Sequence, residues 1–379
     1  MNVDLARNDP LGPCPKPDLP VTSVAASACT IPTDAPEADG TLTWDSTTLV
    51  LVHVHAGEAV GTGWTYAPAA AVGVVEQLLA PAVCGTDALA PVAAQGRMSR
   101  AVRNAGRSGL VAMALSAVDV ALWDLAARVH GLPLVRLWGG PATRVEVYGS
   151  GGFTSYEDDQ LRRQLTAWTD LGLARVKIKI GASWGRDQRR DLARVALTRD
   201  HVGDDVDVFV DANGGYTVGQ ACRVGKELDR YGVTWFEEPV ASQNLAGLRR
   251  VRESVAADVT AGEYGHDVAY FTTMAHGSVD CVQIDATRCG GYTEWLRAAA
   301  AVAGHQLDIS GHCAPYLTAP VAAVTPNLRH LEWFHDHVRI EQLLFDGAAD
   351  PIDGQLPVPP GPGHGLTLRD AVYDTYRVA

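Results

Sequence analysis

Three acids in this chain each close a short apolar run: Asp211 in VDVFVDAN, Glu237 in VTWFEEP and Glu263 in DVTAGE. If those runs are adjacent parallel strands, the three side chains converge at one end, and converging carboxylates repel one another unless a cation sits between them. Oxygen-only ligands favour a hard ion, and Mg²⁺ keeps positions open for a substrate. Lys177 and Lys179 alternate in RVKIKIG, so both face the same side of a strand. Burying two ammoniums there is costly unless they meet carboxylates. Mutual repulsion and a nearby metal are expected to depress a lysine pKa and yield a base usable near neutrality. Lys179 is the better candidate; Lys177 has an equal claim to be a bridge to a carboxylate. Asp285 in VDCVQID and His312 in LDISGH close two later runs. A carboxylate bonded to one ring nitrogen fixes the tautomer and raises the basicity of the other. Glu332, in RHLEWF, could donate a hydrogen bond if protonated, or serve as a structural partner for Arg329 or Arg339.

The elements that position these groups begin near residue 145. From there short apolar runs at 175–181, 206–213, 233–239, 258–263, 279–285 and 307–312 alternate with helix-sized amphipathic stretches, the pattern of repeated βα units around a parallel sheet. Functional groups recur at the C-terminal ends of successive runs, as in a β/α barrel. The rival, an open doubly wound sheet, would gather its site at one switch point. Upstream, residues 1–20 read as a proline-rich tail, and 21–31 and 47–55 as strands separated by a mobile loop at 32–40. A further strand is expected at 59–66 and a long helix at 112–130. Asp119 and Asp124 inside that helix read as buried or capping residues. His53 and His55 share a strand ahead of the barrel without a third ligand and read as structural.

The ordered set K-x-K, D-A-N, E-E-P, G-E, D-x-x-R-x-G-G and S-G-H resembles the enolase superfamily, specifically its mandelate racemase subgroup. The resemblance implies a modified TIM barrel, (β/α)7β, with an α+β N-terminal capping domain completed by the C-terminal segment. The corresponding divisions are a tail (1–20), a cap (21–140), a barrel (141–340) and a returning segment (341–379). It implies one Mg²⁺ per subunit held by Asp211, Glu237 and Glu263, with Glu238 behind them. Lys179 and the His312/Asp285 pair become bases on opposite faces of a substrate. Lys177 and Glu332 contact the substrate carboxylate, Glu332 as an acid. Asn213 and Arg288 flank the metal and substrate. At Asp285 the muconate-lactonising subgroup instead carries a lysine. Superfamilies of this kind use a Lys or His base with Mg²⁺ and an ene-diolate intermediate.

The expected function is dehydration of an acid sugar to a 2-keto-3-deoxy acid, with racemisation or epimerisation of a 2-hydroxy acid as the alternative. An inactive barrel or binding protein would have no reason to keep three carboxylates and both bases. A hydrolytic metal barrel would show H-x-H on its first barrel strand. A net charge of −13 without a basic face argues against nucleic acid or an anionic membrane as partner. No uninterrupted apolar stretch is long enough to span a bilayer. Residues 1–20 lack the apolar core of a secretory signal, and seven scattered cysteines without C-x-x-C fit reduced thiols. A cytoplasmic homo-oligomer acting on a small carboxylate is therefore expected. Segments 31–41 and 60–66 are expected to set specificity, and His335-Asp336-His337 to form rim salt bridges, with substrate contact as the alternative.

Overall fold

A computed structural model describes residues 18–141 and 143–379; most of the proline-rich tail and Cys14 lie outside them. The chain first forms an antiparallel meander of β1 (Ser23–Ala38), β2 (Thr43–Ala56) and β3 (Ala59–Tyr66). Here the reading of 32–40 as a mobile loop is overturned: β1 runs on to Ala38, with Glu37 opposite Trp44. Proline lacks an N–H and is tolerated on an edge strand. β1 is such an edge, and the register shifts between Pro32 and Glu37, leaving the prolines where ladder bonds are not needed.

The helix Leu110–Val129 lies across this sheet. Its approach is so close that a Cβ on Gly61 or Gly63 would sit 2.1 Å from the Ala121 carbonyl oxygen or 2.3 Å from that of Ala117, so only glycine fits. By length and hydropathy this helix could cross a membrane, but 78% of its most apolar window is buried in the protein. Its two acids tie the layers together. Asp119 accepts from the backbone N–H and hydroxyl of Thr293 at the start of a barrel helix. Asp124 accepts from the backbone N–H groups of Thr62 and His364.

The second body is a closed ring of parallel strands: β4 (Arg144–Gly151), β5 (Arg175–Lys179), β6 (Asp207–Asp211), β7 (Val233–Glu237), β8 (Asp258–Ala261), β9 (Cys281–Ile284), β10 (Asp308–Gly311) and β11 (Leu328–Phe334). They follow sequence order around the ring, and β11 closes on β4 with Glu332 opposite Tyr148. Closure excludes the open doubly wound sheet. Val176 and Ile178 of β5 join the hydrophobic layer shared with the surrounding helices, and the intervening lysines turn inward. Tyr148, Phe209, Trp235 and Cys281 form a separate buried plug, with His330 packed on it, 4.7 Å from the Tyr148 ring. The functional ends of the strands stand above that plug.

After β11 the chain passes back over the meander. Phe345 stacks on Trp64 at 4.2 Å, and the backbone N–H of Ala28 donates to Ala379.

Candidate active site

Register brings the strand-end residues together. Lys179 is opposite Asp211 and Asp211 opposite Glu237; Glu263, Asp285 and His312 follow β8, β9 and β10 by one or two positions. Carboxylate oxygens of Asp211, Glu237 and Glu263 lie within 4.8 Å of one another, all three side chains buried. The positive charges around them are specific. Lys177 Nζ donates to both Glu237 oxygens at 2.7 Å and to the Tyr148 hydroxyl at 3.2 Å, and it pairs with Glu332 Oε1 at 2.7 Å. Lys179 Nζ donates to Asp211 Oδ2 at 2.5 Å. Arg288 Nη1 donates to Glu263 Oε1 at 3.0 Å.

The protein's own charges push the lysine pKa values up, against the depression expected from repulsion and a metal together. Burial disfavours the charge on Lys179, but Asp211 outweighs it and the pKa is raised. For Lys177 burial is likewise outweighed, by Glu237 and Glu332.

His312 Nδ1 lies 2.7 Å from Asp285 Oδ2, and Asp285 Oδ1 accepts from the Thr287 N–H and hydroxyl. Burial opposes a charged imidazole, but Cys313, Glu263, Glu332 and the Asp285 bond hold its pKa well above the ordinary value. Its Nε2 faces Glu263 Oε2 at 3.3 Å. Glu332 departs from the protonated donor that the family pattern implies. Burial raises its pKa, yet Lys177, His312 and Lys179 together keep it ionised. It accepts from Ser150 Oγ at 2.6 Å and the Cys313 N–H at 3.0 Å. Nor does it serve Arg329, which pairs with Asp258 and Asp308, or Arg339, which pairs with Asp336.

Above this floor is a cavity of about 580 Å³ lined by Lys179, Asn213, Glu263, Arg288 and His312 from the barrel, and by Asp39, Leu42, Trp44, Thr47 and Tyr66 from the meander. Lys177, Asp211, Glu237, Asp285 and Glu332 lie beneath it rather than on its wall. Lys177, expected at the substrate carboxylate, is 0% exposed. Of the run at 335–337, Asp336 and His337 line the cavity. Asp336 also bridges to Arg339, His335 to Asp34 at 3.1 Å, and His337 stacks on Tyr66. Burial pushes the His337 imidazole down to about 3, so it is neutral.

A cation fits the donor set. Glu238 Oε1 and Asn213 Oδ1 are buried without hydrogen-bond partners, and Glu263 Oε2 is met only by His312 Nε2 at 3.3 Å. Burial pushes Glu237 up to about 7 even with Lys177 opposing, and the same burial, with Glu263, Asp211 and Glu237 adding repulsion, raises Glu238 well above the carboxylate range. The cluster is short of positive charge, and its ligands are all oxygen, the set a hard divalent ion takes. Asn213 and Glu238 each adopt positive φ, 45° and 36°, conformations held just past the ends of β6 and β7 where they meet this cluster.

Reading the sequence missed Tyr148 and Ser150. The signal was available: they alternate on β4 as Lys177 and Lys179 do on β5, and face the same interior. Cys313, Trp44 and Tyr264, which line the cavity itself, carried no comparable pattern.

Residues 24–139 match the family described as mandelate racemase / muconate lactonizing enzyme, N-terminal domain, and residues 160–372 match enolase C-terminal domain-like. The chain belongs to the mandelate racemase group of the enolase superfamily. An arabinonate dehydratase from Saccharolobus solfataricus is 30% identical over 80% of this chain and 82% of its own length. A mandelate racemase/muconate lactonizing enzyme-like protein from Rubrobacter xylanophilus superposes with a TM-score of 0.91 at 45% identity, covering 95% of this chain and 100% of that one. A racemase from Streptomyces coelicolor A3(2), solved with bound magnesium, superposes at 0.89 with 28% identity, covering 94% and 100%. In this enolase-superfamily barrel the lysine pair, the acid cluster and the His312–Asp285 pair occupy one mouth.

Proposed function

We propose that this chain is a Mg²⁺-dependent enzyme that removes the proton beside a carboxylate and dehydrates an acid sugar to a 2-keto-3-deoxy acid. The observation that carries the proposal is a single cavity entered by Lys179 from β5 and His312 from the end of β10, with the carboxylate cluster beside them. Asp211, Glu237 and Glu263 are the proposed ligands. The α-hydrogen of a carboxylate is a very weak acid because its loss places a second negative charge on the anion; a bound Mg²⁺ supplies Lewis-acid stabilisation of that charge.

The protein's own groups do the rest. Lys179 takes the α-proton, which requires its neutral form. Asp211 is the partner that keeps it charged, so Lys179 can act once Asp211 is engaged elsewhere. His312, held protonated, donates to the departing β-hydroxyl, which leaves as water. The enol then tautomerises to the 2-keto acid by taking a proton at C3. Asp285 fixes the ring so that Nε2 faces the cavity side. Lys177 holds Glu237 and Glu332 in place from below and stays out of contact with substrate.

Racemisation is the second reading. β5 and β10 are separated by β4 and β11 on one side of the ring and by four strands on the other. Lys179 and His312 therefore approach from different sides, which suits removal from one face and return to the other. The test is a panel of acid sugars and 2-hydroxy acids with Mg²⁺ in D₂O. Accumulating 2-keto acid supports dehydration, and deuterium incorporation with inversion and no keto acid supports racemisation. Turnover undiminished by a chelator would sink both. A cytoplasmic homo-oligomer belongs to the same reading, in keeping with six unpaired cysteines among the described residues; light scattering in solution checks the assembly.

A further inference from the structure

Among the described lining residues the cavity is cationic at one end only, and this deepens the proposed dehydratase reading. Among the described lining residues the cationic side chains are Lys179, Arg288 and His312, and each is committed at the floor: Lys179 to Asp211, Arg288 to Glu263, and His312 to Asp285. The wall supplied by the meander and by the segment after β11 contains no lysine or arginine. It contributes two acids, Asp39 and Asp336, together with Leu42, Trp44 and the hydroxyls of Thr47 and Thr48. His337, also on that wall, is neutral. Arg339 is held by Asp336 at 2.5 Å and does not line the cavity.

A carboxylate taken out of water needs a cation or several donors to replace its hydration. A substrate with a carboxylate at each end would place the second one against Asp39 and Asp336. Sugar hydroxyls suit the same wall, because they can donate charge-assisted hydrogen bonds to acids. Asp39 uses Oδ1 for its own turn, accepting from the Thr41 and Leu42 N–H groups, and Asp336 accepts from Thr47. Discrimination of this kind, by an unfavourable contact with the wrong ligand, is a recognised route to specificity. We infer that the substrate is an aldonate, a polyhydroxy acid with one carboxylate and an uncharged, hydroxylated far end, and that aldarates, which carry two, are rejected.

The test titrates the Mg²⁺-loaded protein with matched pairs, gluconate against glucarate and galactonate against galactarate of the same configuration. Calorimetry reads affinity, and keto-acid formation is followed in parallel. The expected result is an aldonate preferred at least thirtyfold over its aldarate in affinity or in kcat/KM. An aldarate that binds or reacts as well as its aldonate overturns the inference, as does failure of every pair to bind. Preferential aldonate binding without keto acid leaves the inference standing and rejects the dehydratase reading instead. Leu42 is 66% exposed, so Leu42→Arg is compatible with folding and adds a cation to the far wall. It should shift the aldonate-to-aldarate ratio at least tenfold toward the aldarate. An unchanged ratio would remove the electrostatic basis of the inference.

Discussion

The floor and the far wall of the cavity solve opposite problems. The floor concentrates ionised groups where water is absent: Lys177, Glu237 and Glu332 are all at 0% exposure and tolerable only because each faces an opposite charge at hydrogen-bond distance. The wall is assembled from the turn after β1, the start of β2, the end of β3 and the segment after β11, with side chains as exposed as Leu42. Its acids are held by a turn and an arginine rather than by a buried charge network. A floor of this kind cannot drift: removing one charge strands another. A wall of this kind can be rebuilt without disturbing the chemistry beneath. The difference assigns reaction type to the barrel and choice of substrate to the meander.

The comparison is broken most severely by Glu237→Gln. Read as a metal ligand alone, Glu237 would be dispensable to the fold, but it also receives Lys177 through both oxygens. Removing one partner of a buried pair costs about 3–5 kcal/mol. The variant should therefore lose measurable turnover and Mg²⁺ affinity, and also show a clearly lower midpoint in chemical denaturation. Unchanged stability would mean that Glu332 alone suffices for Lys177. Next in size is His312→Asn, expected to slow turnover by about 10²–10⁴-fold, the usual worth of a positioned acid or base. Lys179 remains in that variant, so NMR in D₂O should still detect α-proton exchange without product. Wild-type turnover would make His312 structural. Asp285→Asn should fall at the lower end of that range, since the ring remains but loses the partner that orients and charges it. A loss equal to that of His312→Asn would mean that Asp285 acts on the substrate directly.

How much of this was legible in sequence follows the same division. In a barrel that takes its strands in order, position along the chain maps onto position around the mouth, so the residues ending β5 to β7 and following β8 to β10 were found from spacing. Glu332 was found but misjudged: it sits inside β11, two residues short of its end, and only the approach of Lys177 shows that it is ionised. The wall was legible only as segments: 31–41 and 60–66 were expected to set specificity and contribute Asp39 and Tyr66, but its strand structure was not. Pro32 and Pro36 signalled a loop because a single sequence does not reveal that β1 is an edge strand. Trp44, Tyr66 and His337 come together from segments whose spacing carries no period, through contacts such as the stacking of His337 on Tyr66 at 3.4 Å.

The smallest effect on turnover belongs to Glu37, which sharpens the comparison by asking whether the wall contains one floor-like residue. Its side chain is 0% exposed; Oε2 accepts from Trp44 Nε1 at 2.8 Å, and Oε1 is without a partner. Burial, with Asp336 adding repulsion, pushes its pKa from 4.5 up to about 8. The folded state therefore holds a proton that the unfolded chain has released above about pH 4.5. Stability from the neutral acid is fully present below that pH and is lost as pH rises toward 8, with a limiting slope of about 1.4 kcal/mol per pH unit. Glu37→Gln keeps an acceptor for Trp44 and cannot ionise. Melting temperatures of both proteins at pH 5, 6.5 and 8 should show the variant gaining on the wild type at each step, while kcat changes less than twofold. A gap independent of pH would show that Glu37 ionises freely in the fold. It would then belong with Asp39 and Asp336 as an ordinary acid of the wall.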